Sequence, residues 1–122
     1  MKVLLIEPDK ILGDVYKRAL EQTGHHVAWS RTAQEAILEA DHMTPDIVVL
    51  ELQLPGHGGV EFLYEFRSYA EWQNIPVVLH TLVPRQDEAL LRQLNIVSHL
   101  YKPTTSLSHL TGVVDEVTLA SI

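Results

Sequence analysis

The chain has 122 residues, 46% of them hydrophobic and 20% charged, and nine basic against sixteen acidic side chains leave a formal net charge of −7. That length predicts one domain over 1–122, burying roughly two-thirds of the surface its unfolded chain exposes. The acidic balance argues against binding phosphate backbones. The absence of Cys removes disulfides, thiol nucleophiles and thiolate metal sites, and no apolar run approaches the ~20 residues that span a bilayer. The expectation is a cytoplasmic domain with no nucleic-acid or membrane partner.

Residues 2–6 (KVLLI) form a nearly continuous apolar run, as a strand buried on both faces requires. Residues 9–22 place Ile11, Leu12, Val15, Tyr16, Ala19 and Leu20 at helical spacing, and Gly24 follows as a terminator. Residues 26–30 read as a second, more polar strand suited to an edge. Residues 32–41 set Ala33, Ala36, Ile37 and Ala40 on one face, behind Thr32 as N-cap. Residues 46–50 (DIVVL) are the third strand. Beyond a Leu-Pro-Gly-His-Gly-Gly loop, residues 60–69 form a helix on Val60, Phe62, Leu63 and Phe66. Residues 75–79 are the fourth strand, with Pro76 near its start, where a missing N–H does least harm. Residues 84–94 read as a short helix with Pro in its first turn, 96–101 as the fifth strand and 105–119 as the last helix, weakened slightly by Gly112.

Strands alternating with helices imply right-handed crossovers and a parallel sheet covered on both faces. The expected fold is α/β, a flavodoxin-like doubly wound (βα)5 sandwich with strand order 2-1-3-4-5, whose function sits at the carboxyl ends of the strands. On that rim fall Glu7, Pro8 and Asp9 after the first strand and Glu51 after the third, with Gln53, Pro55 and Gly56 beyond it. His80 and Thr81 follow the fourth strand, and Lys102 and Pro103 follow the fifth. The first, third, fourth and fifth strands are neighbours in this order, so an acidic cluster should face a hydroxyl and an ammonium.

These residues resemble the response-regulator receiver domain family, over essentially the whole length. The acidic start at Glu7, the run PDIVVL before position 51, the LxLPG run that follows, Thr81, and Lys102-Pro103 recur in order on the five-fold pattern. The resemblance implies a module of two-component or phosphorelay signalling. In the family an Asp at position 51 accepts a phosphoryl group, and an acidic pair joins it in holding Mg²⁺, a hard cation that takes oxygen ligands. The resemblance also gives Thr81 a contact to the phosphoryl group and Lys102 the role of neutralising it. It makes the Lys102–Pro103 bond cis and places His99 where relatives carry an aromatic switch residue, so that an imidazole there adds pH sensitivity. Implied partners are a histidine kinase, a phosphotransfer protein or an output domain. A homodimer through the last two helices and the fifth strand is also implied, with Leu90, Leu91, Leu94, Tyr101, Leu107 and Leu110 as candidate contacts, most of them core by periodicity.

Three departures alter that expectation. Position 51 is Glu, whose extra methylene moves the carboxylate outward by roughly 1.5 Å. Pro8 stands where the family has its direct metal ligand. The acidic residue usual in the following loop gives way within His57-Gly58-Gly59, which loosens that loop. Two parts of the phosphotransfer machinery are thereby damaged, so the expectation is an atypical pseudo-receiver, not an enzyme. It acts by protein–protein contact, with Glu51 reaching toward Thr81 and Lys102. Mg²⁺, if bound at all, would rest weakly on Glu7, Asp9, Glu51 and Gln53. The alternatives are a working phosphoacceptor with altered Mg²⁺ geometry and, less in keeping with the residues, a metal-assisted phosphohydrolase. Bland readings stand beside these: Asp9 as a helix cap, Lys102 as a structural ion-pair partner, His80 as packing, and seven His without zinc-ligand spacing.

Overall fold

A computed structural model describes residues 1–84 and 88–120. Its strands are β1 (Lys2–Ile6), β2 (His26–Ser30), β3 (Ile47–Leu50), β4 (Val77–Thr81) and β5 (Ile96–Tyr101). They are wholly parallel and ordered 2-1-3-4-5. The helices between and after them are α1 (Lys10–Gln22), α2 (Ala33–His42), α3 (Gly59–Ser68), α4 (Glu88–Gln93) and α5 (Leu107–Ala120). β1 alternates its side chains between two cores, as the two-residue period of a strand demands. Leu4 and Ile6 pack with Phe62, Leu63 and Phe66 of α3 on one face, while Val3 and Leu5 pack with Leu20 of α1 and Leu110 and Val114 of α5 on the other. That double burial is why β1 and β3 are continuously apolar, and the less buried β2 lies at an edge.

Local signals fix the helix starts. Asp9 Oδ1 accepts from the amides of Ile11 and Leu12 at 2.9 and 2.8 Å, so Asp9 caps α1. Thr32 Oγ1 accepts from Glu35 N at 3.1 Å, and Glu35 Oε2 accepts from Arg31 N at 3.0 Å, one residue before the cap, so both contacts anchor the start of α2. Gly24 stands at φ +94 just after α1, a conformation that L side chains rarely adopt.

Several boundaries differ from expectation, β4 among them, which runs on to Thr81 and not to Leu79. β4 begins at Val77 because Pro76, which lacks an N–H, contributes only its carbonyl, to Val48 N at 3.0 Å. The described part of α4 is Glu88–Gln93; Pro84 precedes it as coil, and Arg85, Gln86 and Asp87 lie outside the described residues. α5 begins at Leu107, because Ser106 Oγ accepts from His109 N at 3.1 Å and stands before the helix. No peptide bond among the described residues is cis, so Lys102–Pro103 is trans. Pro103 sits instead inside a 3₁₀ turn over Lys102–Thr104, where its fixed φ suits the tight turn.

At Gly59 the loop after β3 is packed tightly against the strand end. A Cβ added at Gly59 would lie 2.6 Å from Leu52 Cα and 3.1 Å from Glu51 O, so α3 starts in direct contact with the backbone that carries Glu51. Ala in place of Gly within a helix ordinarily stabilises by about 1 kcal/mol. Here the backbone clash reverses the sign: Gly59→Ala is expected to destabilise by about 1–3 kcal/mol, read as an earlier urea midpoint with an unchanged slope.

Candidate functional site: a carboxylate–ammonium rim

Strand register brings the rim together. Ile6 pairs with Leu50, Leu50 with Leu79, and Thr81 with Tyr101, so the residues just past β1, β3 and β5 emerge at one edge beside the end of β4. There Lys102 Nζ lies 2.6 Å from Glu7 Oε1 and 2.7 Å from Glu51 Oε1. The side chains are 7% exposed for Lys102 and 2% for each Glu, which makes this a buried triad and not a surface ion pair.

Four donors hold the Glu51 carboxylate. Oε1 accepts from Lys102 and from Leu82 N at 3.0 Å. Oε2 accepts from Gln53 N at 3.0 Å and from the Thr81 hydroxyl. Burial alone would push this carboxyl up, but the hydrogen bonds from Lys102, Thr81, Gln53 and Leu82 outweigh it and hold the pKa below the ordinary value. Burial likewise works against the Lys102 ammonium, and Glu51 and Glu7 outweigh it in turn, so the pKa of Lys102 is raised. Glu51 is thus held as a carboxylate and Lys102 as an ammonium.

The connection continues past Thr81. Its Oγ1 accepts from Val83 N at 3.1 Å, and the Val83 carbonyl faces His99 Nε2 at 3.1 Å. A carbonyl only accepts, so His99 Nε2 carries a proton. His99 therefore meets the loop after Thr81 and not Thr81 itself. Glu51, Thr81, Val83 and His99 form one hydrogen-bonded path from the rim to β5.

The remaining expected residues fall as follows. Glu7 Oε2 accepts from Asp9 N at 3.0 Å, while the Asp9 carboxylate turns away to cap α1. Gln53 reaches Glu51 through its backbone. His80 is buried against Tyr16, with edge-on rings 4.7 Å apart. Burial, reinforced by the Lys102 charge and only partly opposed by Glu51, pushes the His80 pKa down to about 4. Of the apolar candidates on and around the last two helices and β5, Leu94 and Leu110 are core, while Tyr101 and Leu107 are 38% and 43% exposed.

The sequence reading missed the bracing behind Glu7. Trp29 Nε1 donates to Glu7 O at 2.9 Å, and Arg31 donates through Nε and Nη2 to Pro8 O at 3.1 and 2.9 Å. The indole lies so close over α1 that a Cβ at Gly13 would sit 2.0 Å from its ring. Gly13 was the available signal, since a glycine amid helical periodicity needs a packing reason. Also missed was His25, whose Nε2 lies 2.7 Å from Asp115 Oδ1 and ties the α1–β2 turn to α5.

The donor set does not fit the Mg²⁺ of the family. Pro8 has no side-chain oxygen and its carbonyl is engaged by Arg31, Asp9 is spent on a helix cap, and the Oε1 atoms of Glu7 and Glu51 both face an ammonium. Among the described residues no group of three or more His, Asp or Glu is placed to hold a metal ion.

Comparison with known proteins settles the family. The sequence pattern of the response regulator receiver domain matches residues 3–114. The chain belongs to that family. It is 33% identical over 87 residues to the KDP operon transcriptional regulatory protein KdpE of Escherichia coli, covering 71% of this chain and 36% of that protein. The receiver domain thus spans little more than a third of the length of this curated relative. The non-phosphorylated HemR receiver domain of Leptospira biflexa superposes with a TM-score of 0.85 at 27% identity, over 96% of this chain and 93% of that one. Chemotaxis protein CheY4 of Vibrio cholerae shares the fold with a TM-score of 0.86 at 19% identity, over 95% and 97% of the two chains. The chain is accordingly a receiver domain of a response regulator in two-component signalling. No helix among its described residues is long and apolar enough to cross a membrane.

Proposed function

We propose that this receiver domain signals through protein–protein contact without accepting a phosphoryl group, Glu51 supplying a permanent anion in its place. The observation that carries this reading is the fourfold engagement of the Glu51 carboxylate by Lys102, Leu82 N, Thr81 and Gln53 N, with the side chain 2% exposed. An acceptor must present a free oxygen in line with the donor phosphorus, and in-line attack tolerates little misplacement. Here both oxygens are already taken. The carboxylate is a partial mimic, with one charge and two oxygens against about −1.5 to −2 and three for a phosphoryl group. Charge-assisted hydrogen bonds of roughly 1.5–3 kcal/mol each are nonetheless enough to bias a two-state domain. The path through Thr81 and Val83 carries that bias to His99 on β5.

In this reading the domain sits in the cytoplasm and is held in one signalling state. Its partner is a histidine kinase, a phosphotransfer protein or an output domain. Val97, Tyr101 and Leu107, exposed on β5 and α5, lie on the surface such a partner or a second copy would cover. Intact-mass spectrometry after incubation with acetyl phosphate and Mg²⁺ tests the central claim. The native chain is expected to show no phosphoryl adduct, and the Glu51→Asp/Pro8→Asp variant to regain one. A stoichiometric adduct on the native chain would make this a working phosphoacceptor with altered geometry.

A further inference from the structure

The rim already holds a cation, and it is covalently part of the chain. The Lys102 ammonium sits within 2.6 and 2.7 Å of one oxygen from each of Glu7 and Glu51. A divalent ion bridging the same two oxygens would need that position, since Mg²⁺ binds oxygen at about 2.0–2.1 Å and tolerates little departure from octahedral geometry. The other oxygens described beside this point are already engaged. Pro8 contributes no side-chain oxygen, and its carbonyl is turned to Arg31. Glu7 Oε2 is held by Asp9 N, and Glu51 Oε2 by Gln53 N and Thr81. Each carboxylate therefore has one oxygen held by backbone or hydroxyl donors and the other on Lys102, an oxygen that in Glu51 also accepts from Leu82 N.

We propose that Lys102 is the resident cation of this rim, so that the native domain keeps its shape without divalent metal and removing the ammonium converts Glu7 and Glu51 into a divalent-cation site. The physical basis is charge. Without Lys102 two buried carboxylates face a common point with nothing between them, and like charges in so little water demand a counter-ion or a proton. Truncation to Ala leaves room at that point for an ion with part of its hydration shell, which Mg²⁺ retains and Mn²⁺ accepts. The proposal deepens the pseudo-receiver reading by assigning the cation of the same rim, and it predicts metal behaviour with no phosphodonor present.

Thermal unfolding with Mg²⁺ or Mn²⁺ chloride, against NaCl of matched ionic strength, is the test. At 10 mM metal the native chain and Lys102→Arg, which keeps the positive charge, are expected to move by less than about 1 °C, and Lys102→Ala to rise by about 3–8 °C. A saturable rise in the native chain would overturn the proposal, as would a Lys102→Ala variant that folds and stays indifferent to metal. Should Lys102→Ala fold only with metal, that dependence supports it. Should it not fold at all, Mn²⁺ line broadening in the native chain decides. Preferential loss of the Glu7, Glu51 and Gln53 amide signals overturns the proposal, and their survival alongside the bulk of the spectrum supports it. A metal response without a phosphoryl adduct sinks this inference and leaves the pseudo-receiver reading standing; an adduct formed without metal does the reverse.

Discussion

Lys102→Met is expected to destabilise the domain by about 3–5 kcal/mol at pH 7, the cost typical of breaking a buried ion pair by removing one partner. Methionine retains much of the lysine stem, so little of the loss comes from packing. The cost comes from Glu7 and Glu51, each 2% exposed, losing their shared counter-charge. Against a domain stability of roughly 5–15 kcal/mol this is a large fraction. Sensitivity to pH separates this cause from a simple cavity.

In the native chain the Glu51 pKa is lowered, so its contribution is present above the unfolded carboxyl pKa and lost as pH falls through the folded value. Lys102 has a raised pKa, so its contribution is present below the unfolded lysine value and lost only as pH rises through the folded one. In Lys102→Met the two carboxylates face each other unneutralised, and the pair takes up a proton above the ordinary carboxyl range. A raised folded pKa means stability that grows as pH falls. Over pH 7 to 5 the variant should recover part of its loss, narrowing the gap to the native chain. Urea unfolding at pH 7, 6 and 5 reads this directly. A gap that is constant across the range would assign the loss to packing and remove the electrostatic account.

The same triad shows what the sequence could and could not reveal. Glu7, Glu51, Thr81 and Lys102 are legible as a group because each directly follows or ends an apolar strand and strand order alone makes them neighbours. The motif frame around Glu51 adds the family. The donors that decide what Glu51 does are half invisible, because Leu82 and Gln53 contribute backbone amides and any residue there would supply them. Asp9 was ambiguous for a local reason, since one carboxylate after β1 suits either a metal or a helix N-terminus, and the two amides of α1 claim it. Trp29, Arg31 and the His25–Asp115 pair act across the fold, with His25 and Asp115 joining elements 90 residues apart, and no periodicity encodes such contacts. The trans Lys102–Pro103 bond is a different kind of discrepancy. That expectation came from resemblance and not from any residue in the chain.

His80 gives the second large effect, and its sign follows from burial. The ring is 3% exposed, packed edge-on to Tyr16, with its pKa pushed down to about 4 from an ordinary 6.5. Between those values the unfolded chain binds a proton at this position and the folded chain does not. Stability is therefore full above pH 6.5 and declines as pH falls toward 4, where the folded ring also charges and the loss levels off. A shift of this size corresponds to about 3 kcal/mol of stability lost across the window. Glu51 begins to lose its contribution only near the unfolded carboxyl pKa, at the foot of this window, and goes on losing it down through its lowered folded value. The two contributions are thus separable by pH. His80→Phe keeps an aromatic ring against Tyr16 and removes the titration, so its stability should fall less steeply from pH 6.5 to 4 whatever its offset at pH 7. Ring-proton NMR should show His80 titrating near 4 in the folded native domain. A ring that titrates near 6.5, or a variant whose pH profile parallels the native one, would mean that the buried imidazole is solvated or paired and carries none of the acid sensitivity.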